Sequence, residues 1–433
     1  MKAELRRGKR QAAPFSKGKG KAEKKKPGRR RGKGRFTRRA KPEVKPADRL
    51  EEIAVNLEDT RCPECGEQME VKVEEATTID VPAEPVRVIK VFTVQVGVCP
   101  RCGNKVRATH PDLAPDQFGA TAHRVGANVQ AQALTLHYHS GLTLRKVPAA
   151  IETSTGISIT QGALTQRAAK VCREQGTVGK TYRQLCAEIR ESSVVNTDDT
   201  GWRTGGKASY LMGFFTKTLA VFQIRKRHRH QEVQEMLGED FCGILGTDRG
   251  TSYEARSLEG LAQQKCLSHL LKNLSEVENT KTGPARCFAS DLKQTLREAL
   301  ELWNLYESGG MKYREYRRRG QAIECKLDKQ LRPRRLSDAD NQRLLDGIGK
   351  QHARERILFF LIEPEVEPTN NRAERGLRPA VIARKVSQCS KNERGAAIYE
   401  AMKSVTATLA LRGHNVVQGL AAVMAGQPMP PGR

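Results

Sequence analysis

Two adjacent carboxylates, Asp198 and Asp199, close an apolar, β-branched run in "SSVVNTDDTGW" (192–202). Another acid, Asp248, ends a similar run in "CGILGTDRG" (242–250). Carboxylates gathered at low dielectric repel one another, and a proton or a cation relieves the conflict. Mg²⁺ takes oxygen ligands and leaves positions for water and phosphate. Two such ions about 3.5–4 Å apart serve phosphodiester cleavage, and the second ion needs a further acid. Glu374 in "EPTNNRAERGLRPAVIARKVSQ" (367–388) is the candidate, with Thr369 or Asn370 capping a helix that holds Glu374 about one turn inside. By spacing alone this is an ordinary helix with Glu–Arg surface pairs. Its basic side chains, Arg372, Arg375, Arg378, Arg384 and Lys385, suit phosphates or solvent equally.

"CPECG" (62–66) and "CPRCG" (99–103) are two copies of one knuckle. Cys62, Cys65, Cys99 and Cys102 supply four thiolates, which close a tetrahedral Zn²⁺ shell with no position left for water, so the expected zinc is structural. The valine-rich stretch between the knuckles reads as a β-hairpin carrying the second one, a zinc ribbon. The remaining cysteines are scattered and read mostly as small buried hydrophobes.

These groups need elements to hold them. At 433 residues, 29% charged and 38% hydrophobic, the chain suits a soluble protein of two or three domains. It shows neither a run of the ~20 apolar residues that span a bilayer nor a signal-type N-terminus. The expected location is the cytoplasm, at the nucleoid. Residues 1–49 hold 21 Lys/Arg against 4 Asp/Glu, so +17 of the formal +27 lies there. This basic arm is expected to be disordered and to attract nucleic acid by counterion release.

Residues 117–190 carry apolar positions at three- and four-residue intervals, broken at "HSG" and "STGIS". Helices of a helix-turn-helix-like unit follow, the last being "SITQGALTQRAAKV", capped by Ser158 or Thr160. His137 and His139 read as partly buried helix residues. After residue 192 the period becomes two. Strands at "SSVVNTDD", "ASYLMGFFT" and "LAVFQI" form a meander, "RHQEVQEMLGED" is helical, and "CGILGTDRG" is a fourth strand. That order is found in ribonuclease H-like folds, where the first and fourth strands lie side by side, bringing Asp198 towards Asp248. Strand alternation admits only one of Asp198 and Asp199 to a site there, without saying which. "ILFFLI" (357–362) reads as a buried element. Trp202 reads as packing, and His269 is a minor candidate for a place near the site.

"TDDTGW", "LGEDFCGILGTDRGTSY", "CLSHLLKNL" and above all "EPTNNRAERGLRPAVIARKVS" resemble the transposases of the IS-sixty-six-type insertion sequences. The likeness covers roughly residues 60–425. It implies a DDE transposase of a bacterial insertion sequence: a ribonuclease H-like core using Mg²⁺ or Mn²⁺, with Asp198, Asp248 and Glu374 as the triad. The family usually has Asp-Glu where this chain has Asp198-Asp199, so Asp198 is the match. The expected architecture is α/β and multidomain: a basic arm (1–49), a zinc ribbon (55–110), a helical DNA-binding-like domain (117–190), and the first part of the core (191–274). A helical insertion (275–362) and the catalytic Glu helix with C-terminal helices (363–425) complete it. DNA is the expected partner, in a homo-oligomer. The alternatives are a non-catalytic zinc-ribbon DNA-binding protein with a transposase-derived core, and a ribonuclease H-like nuclease that does not join DNA.

Overall fold

The computed structural model describes residues 87–109, 125–387 and 389–432, together with Glu64 and Gln68. The basic arm and the first knuckle, with Cys62 and Cys65, lie outside the described residues. Around the second knuckle, β1 (Val96–Val98) and β2 (Lys105–Arg107) pair antiparallel, with Val96 opposite Arg107. Gly103 turns the chain at φ 70°, a conformation glycine adopts without strain. The hairpin therefore closes across the second knuckle, and the first part of the valine-rich stretch, 78–86, lies outside the described residues. Residues 87–95 form no strand. The knuckle itself reverses the chain, so the nearest partner of β1 is the segment directly after it.

The main sheet is mixed. β3 (Val194–Thr204), β4 (Lys207–Phe215) and β5 (Ala220–Arg225) form an antiparallel meander, and the chain crosses through α5 (His230–Leu237) to β6 (Ile244–Thr247). β6 pairs parallel with β3, and β7 (Gln263–Lys265) pairs parallel with β6, giving the order β5-β4-β3-β6-β7. The first and fourth strands of the run are neighbours, as the element order requires. β3 extends past the acids to Thr204, because Gly205 and Gly206, at φ 59° and 77°, place the two-residue turn there.

Helices α1 (Ala127–Tyr138), α2 (Val147–Thr155), α3 (Gln161–Val171) and α4 (Thr177–Arg190) precede the sheet. The Thr160 hydroxyl caps α3, accepting from the Ala163 amide at 3.1 Å. α3 is not the last helix of the stretch: α4 follows, burying Val178, Thr181, Leu185 and Ile189 at helical spacing. Leu134, Ile151, Leu164 and Leu185 join sheet residues such as Phe222 in one continuous hydrophobic cluster, so these helices share their core with the sheet.

α11 (Glu393–Leu411) is buried on most of its circumference and runs along β5, the sheet edge. The amides of Ala220, Phe222 and Ile224 donate to side chains of Thr408, Ser404 and Glu400 at 3.1, 2.9 and 2.5 Å. Four helix residues rise about 6 Å and two strand residues about 6.7 Å, so oxygens four apart match alternate edge amides. An exposed strand edge is thereby covered. α12 (Val416–Met424) closes this layer.

Between β7 and the last helices, α6 (Leu267–Glu278), α7 (Gly283–Glu307), α8 (Tyr313–Gln330) and α9 (Ala339–His352) build a second cluster. The "ILFFLI" run is buried in it at Ile357, Leu358, Phe360 and Leu361. α10 (Asn371–Ser387) returns to the sheet on a stripe of Ala373, Leu377, Ala380 and Ala383. No helix among the described residues is long and apolar enough to cross a membrane.

α10 approaches the sheet closely because Gly376 has no side chain. A Cβ there would stand 2.2 Å from the ring of Phe215, which is 2% exposed. Gly376→Ala is expected to destabilise the protein by about 1–3 kcal/mol, despite a helix-propensity gain of ~1 kcal/mol. Urea unfolding checks this; unchanged stability would mean that α10 does not press on Phe215.

Candidate active site

β3 and β6 run in parallel register from Val194 opposite Ile244 to Asn196 opposite Gly246. Continued by two residues, that register sets Asp198 beside Asp248. The Asp248 carboxylate accepts from the Gly250 amide at 2.8 Å, which holds it at the strand end. Asp198 accepts from the Asp199 amide at 2.9 Å.

Glu374 arrives from far along the chain, and Asn370 guides it. Asn370 stands just before α10 and is 2% exposed. Its side chain is not spent on capping: Nδ2 donates to Thr197 O at 2.8 Å, and Oδ1 accepts from Asn196 Nδ2 at 3.2 Å. The Glu374 amide donates to Asn370 O at 3.2 Å. The first turn of α10 is thus stitched to β3 beside Asp198. Nearby, the Leu267 amide donates to Pro368 O at 2.9 Å, joining the starts of α6 and α10.

The electrostatics separate the two adjacent aspartates. Burial pushes the Asp198 pKa up to about 7; the Asp199 amide opposes this, and the charges of Asp248, Asp199 and Glu374 add to it. Asp199 is also raised, by burial first and by Asp248, while His228 draws it back down. Its Oδ2 lies 3.3 Å from His228 Nδ1, and the His228 ring stacks on Tyr210 at 3.9 Å. Asp198 therefore shares a field with both distant acids, and Asp199 turns to His228. Both feel Asp248, so strand alternation does not exclude Asp199 from the neighbourhood.

Of the surrounding residues, Tyr253 and Lys265 carry no signal in the sequence, and His269 is the minor candidate that the structure brings close. Tyr253, 2% exposed, has its phenol pKa raised by burial and by Asp199, Asp248 and Asp198. Lys265 is fully buried, with Nζ 2.7 Å from Glu254 Oε1 and 3.2 Å from Thr247 Oγ1. His269 Nδ1 stands 3.9 Å from Glu374 Oε1. Beside His228, a cavity of about 400 Å³ is lined by Lys226, Arg227, Arg229 and His230 among others.

The basic side chains of α10 divide. Arg372 pairs with Glu367 at 2.5 Å, and Arg384 donates to Thr200 Oγ1 at 3.1 Å and to Gly201 O. Arg375, Arg378 and Lys385 lie on its exposed face. Trp202 is core, its Nε1 donating to Ser390 Oγ at 3.1 Å. His137 is partly buried, its Nδ1 2.7 Å from Leu142 O, and burial lowers its pKa. Of the scattered cysteines only Cys266 is buried; Cys172, Cys186 and Cys389 are partly so. Cys242, Cys287 and Cys325 are exposed, correcting the expectation of small core residues, since single cysteines carry no period that marks a face.

No curated protein matches the chain. The HTLV-2 integrase catalytic core domain, solved in complex with magnesium in a dimeric form, is similar at 9% identity and a TM-score of 0.15. The likeness covers 35% of this chain and 94% of that one, and is too slight to bear on fold or chemistry. The family model described as Transposase IS66 family matches residues 123–398, which include all three distant acids and most of the described elements. On that match, spanning more than half of its length, the chain belongs to the Transposase IS66 family.

Proposed function

We propose that the chain is a DDE transposase of a bacterial insertion sequence that cuts DNA at the element ends and joins the freed 3′-hydroxyl to target DNA. The observation that carries this reading is the field at Asp198, where the charges of Asp248 and Glu374 meet although the three acids lie far apart in sequence. A strand order of β5-β4-β3-β6-β7, with three antiparallel strands and two parallel ones, supports a ribonuclease H-like core.

The donor set is all carboxylate and mutually repelling, which suits Mg²⁺ or Mn²⁺. Asp198 would be shared between two ions, with Asp248 and Glu374 each completing one. When bound, such ions activate the attacking oxygen and stabilise the leaving one. The chain's own residues hold the arrangement. Gly250 fixes the Asp248 carboxylate, Asn370 locks the Glu374 helix to β3, and His228 keeps Asp199 aside. Water attacks in the cutting step and the DNA 3′-hydroxyl in the joining step, so no side chain serves as nucleophile. Arg375, Arg378 and Lys385 on α10 and the basic cavity beside His228 offer phosphate contacts. Two DNA ends must be brought together, which calls for a dimer or larger assembly.

A structural zinc on Cys62, Cys65, Cys99 and Cys102 belongs to the same reading. It is supported at Cys99, whose thiol pKa is lowered by the amides of Cys102 and Arg101, as a thiolate ligand requires.

Full-length protein, supplied with pre-cut ends taken from inverted repeats flanking its gene, should form joined product with Mg²⁺ or Mn²⁺. Asp248→Asn should lose about 10³-fold or more, since a metal ion supplies several kcal/mol and ~1.4 kcal/mol is tenfold. Its fold and DNA binding should persist. Joining retained by Asp248→Asn would overturn the assignment, and cleavage without joining by the wild type would leave a nuclease.

A further inference from the structure

Cys266, His269 and Glu374 come together where two helices begin. The Cys266 Sγ, a His269 ring nitrogen and a Glu374 carboxylate oxygen all lie within 4.8 Å of one another. Around a tetrahedral zinc, ligand atoms stand about 3.3–3.8 Å apart, given bonds of ~2.0–2.3 Å. The His269–Glu374 pair, at 3.9 Å, is nearly there. Both side chains are nearly half exposed, 45% and 44%, and have room for the remaining adjustment. Cys266 is the fixed member. It is 1% exposed, and its sulfur accepts from the Asn370 amide at 3.1 Å. Its own amide donates to Thr247 O at 2.8 Å. A ligand oriented in this way by neighbouring groups is what a built metal site contains.

The donor types matter more than their number. Asp198 and Asp248 offer only oxygen, the preference of Mg²⁺. A thiolate, an imidazole and a carboxylate select a borderline-soft ion, and zinc binds well above manganese to such a set. We infer that Cys266, His269 and Glu374 form a separate site for a divalent cation of the zinc type, which shares Glu374 with the proposed acid centre. Zinc held there engages the carboxylate that the second Mg²⁺ or Mn²⁺ requires. Micromolar zinc thus inhibits by withdrawing Glu374, a consequence that rests on the proposed function, whereas binding itself does not.

The test has two arms on the full-length protein. In the first, bound zinc is counted after equilibration with excess Zn²⁺ and desalting. The wild type is expected to hold one more equivalent than Cys266→Ser or His269→Ala, and any zinc on the four knuckle cysteines is common to all three. His269 is half exposed, so His269→Ala keeps the comparison open if the buried Cys266→Ser misfolds. Equal zinc content in wild type and folded variants overturns the site. In the second arm, Zn²⁺ is titrated into the Mg²⁺-supported joining reaction. Half-inhibition of Cys266→Ser should need about tenfold more Zn²⁺ or greater, relative to its own uninhibited rate. Identical inhibition of both overturns the sharing of Glu374. A wild type that joins DNA but holds no more zinc than the folded variants refutes only this inference, and a wild type that holds the extra zinc without any joining refutes only the transposase reading.

Discussion

Asp198→Asn should melt at a higher temperature than the wild type at pH 8 in the absence of divalent metal, while losing about 10³-fold or more in strand transfer. In the folded chain, burial and then the charges of Asp248, Asp199 and Glu374 raise the Asp198 pKa to about 7. An unfolded aspartate titrates near ~3.9. The folded state therefore binds the proton more tightly than the unfolded state, and stability falls as pH rises from about 4 to about 7. Above that window the penalty is complete. At ~1.4 kcal/mol per unit it amounts to about 2–4 kcal/mol, the lower figure allowing for the partly solvated rim. Asparagine keeps the shape and can still accept from the Asp199 amide, but carries no charge. The advantage of the variant should vanish near pH 4, where both side chains are neutral. On the proposed function, Mg²⁺ should stabilise the wild type and leave the variant unmoved. Thermal melts across pH 4–8, with and without Mg²⁺, check each part, and a wild type no less stable at pH 8 than at pH 4 relative to the variant would contradict it.

The second large effect lies behind Asp248. Glu254→Gln should destabilise the fold by about 3–5 kcal/mol, the cost of stranding a buried charge. Lys265 has no exposed side-chain surface and sits 2.7 Å from Glu254. Arg356, 3% exposed, approaches the same carboxylate at 3.4 Å. Removing the Glu254 charge strands Lys265 without its ion-pair partner, while Arg356 keeps the Glu259 carbonyl at 3.2 Å. Lys265→Met should cost clearly less, because Glu254 keeps Arg356 and also Arg354, 3.5 Å away. The asymmetry is the test, read by urea unfolding. Equal losses in the two variants would show that the pair itself, rather than the stranded charge, carries the energy. Lys265 also donates to Thr247, the residue before Asp248, so on the proposed function the Glu254 variant should lose joining activity beyond its loss of folded protein.

Much of this architecture is legible in a single chain because local rules write it. The change from a helical period to a period of two marks where the sheet begins, and the two glycines after Thr204 mark its first turn. Thr160 announces the start of α3, and the apolar run at 357–362 announces burial. The order of strands and helix foretells that β3 and β6 are neighbours, since a parallel partner must be reached by a crossover. Other features have no local signature. Asn370 reads as a helix cap, yet it cross-links α10 to β3, because buried amide donors and acceptors on Thr197 and Asn196 compete for it more strongly than the helix end does. The four-residue spacing of Glu400, Ser404 and Thr408 is visible in the sequence, but its meaning needs the amides of β5 beside it.

By itself the sequence determined where helices give way to strands and the two copies of the cysteine knuckle, since period, capping and turn chemistry act over a few residues, while the set of three acids came from the family resemblance. Only the tertiary structure separates the surroundings of Asp198 and Asp199, with Glu374 among the charges that raise the one and His228 3.3 Å from the other. It alone brought Cys266 and His269 to Glu374. The physical reason is the same in both cases: a side chain's charge and donor atoms act across a few ångströms of space, and which residues share that space is set by packing between segments that are not neighbours along the chain.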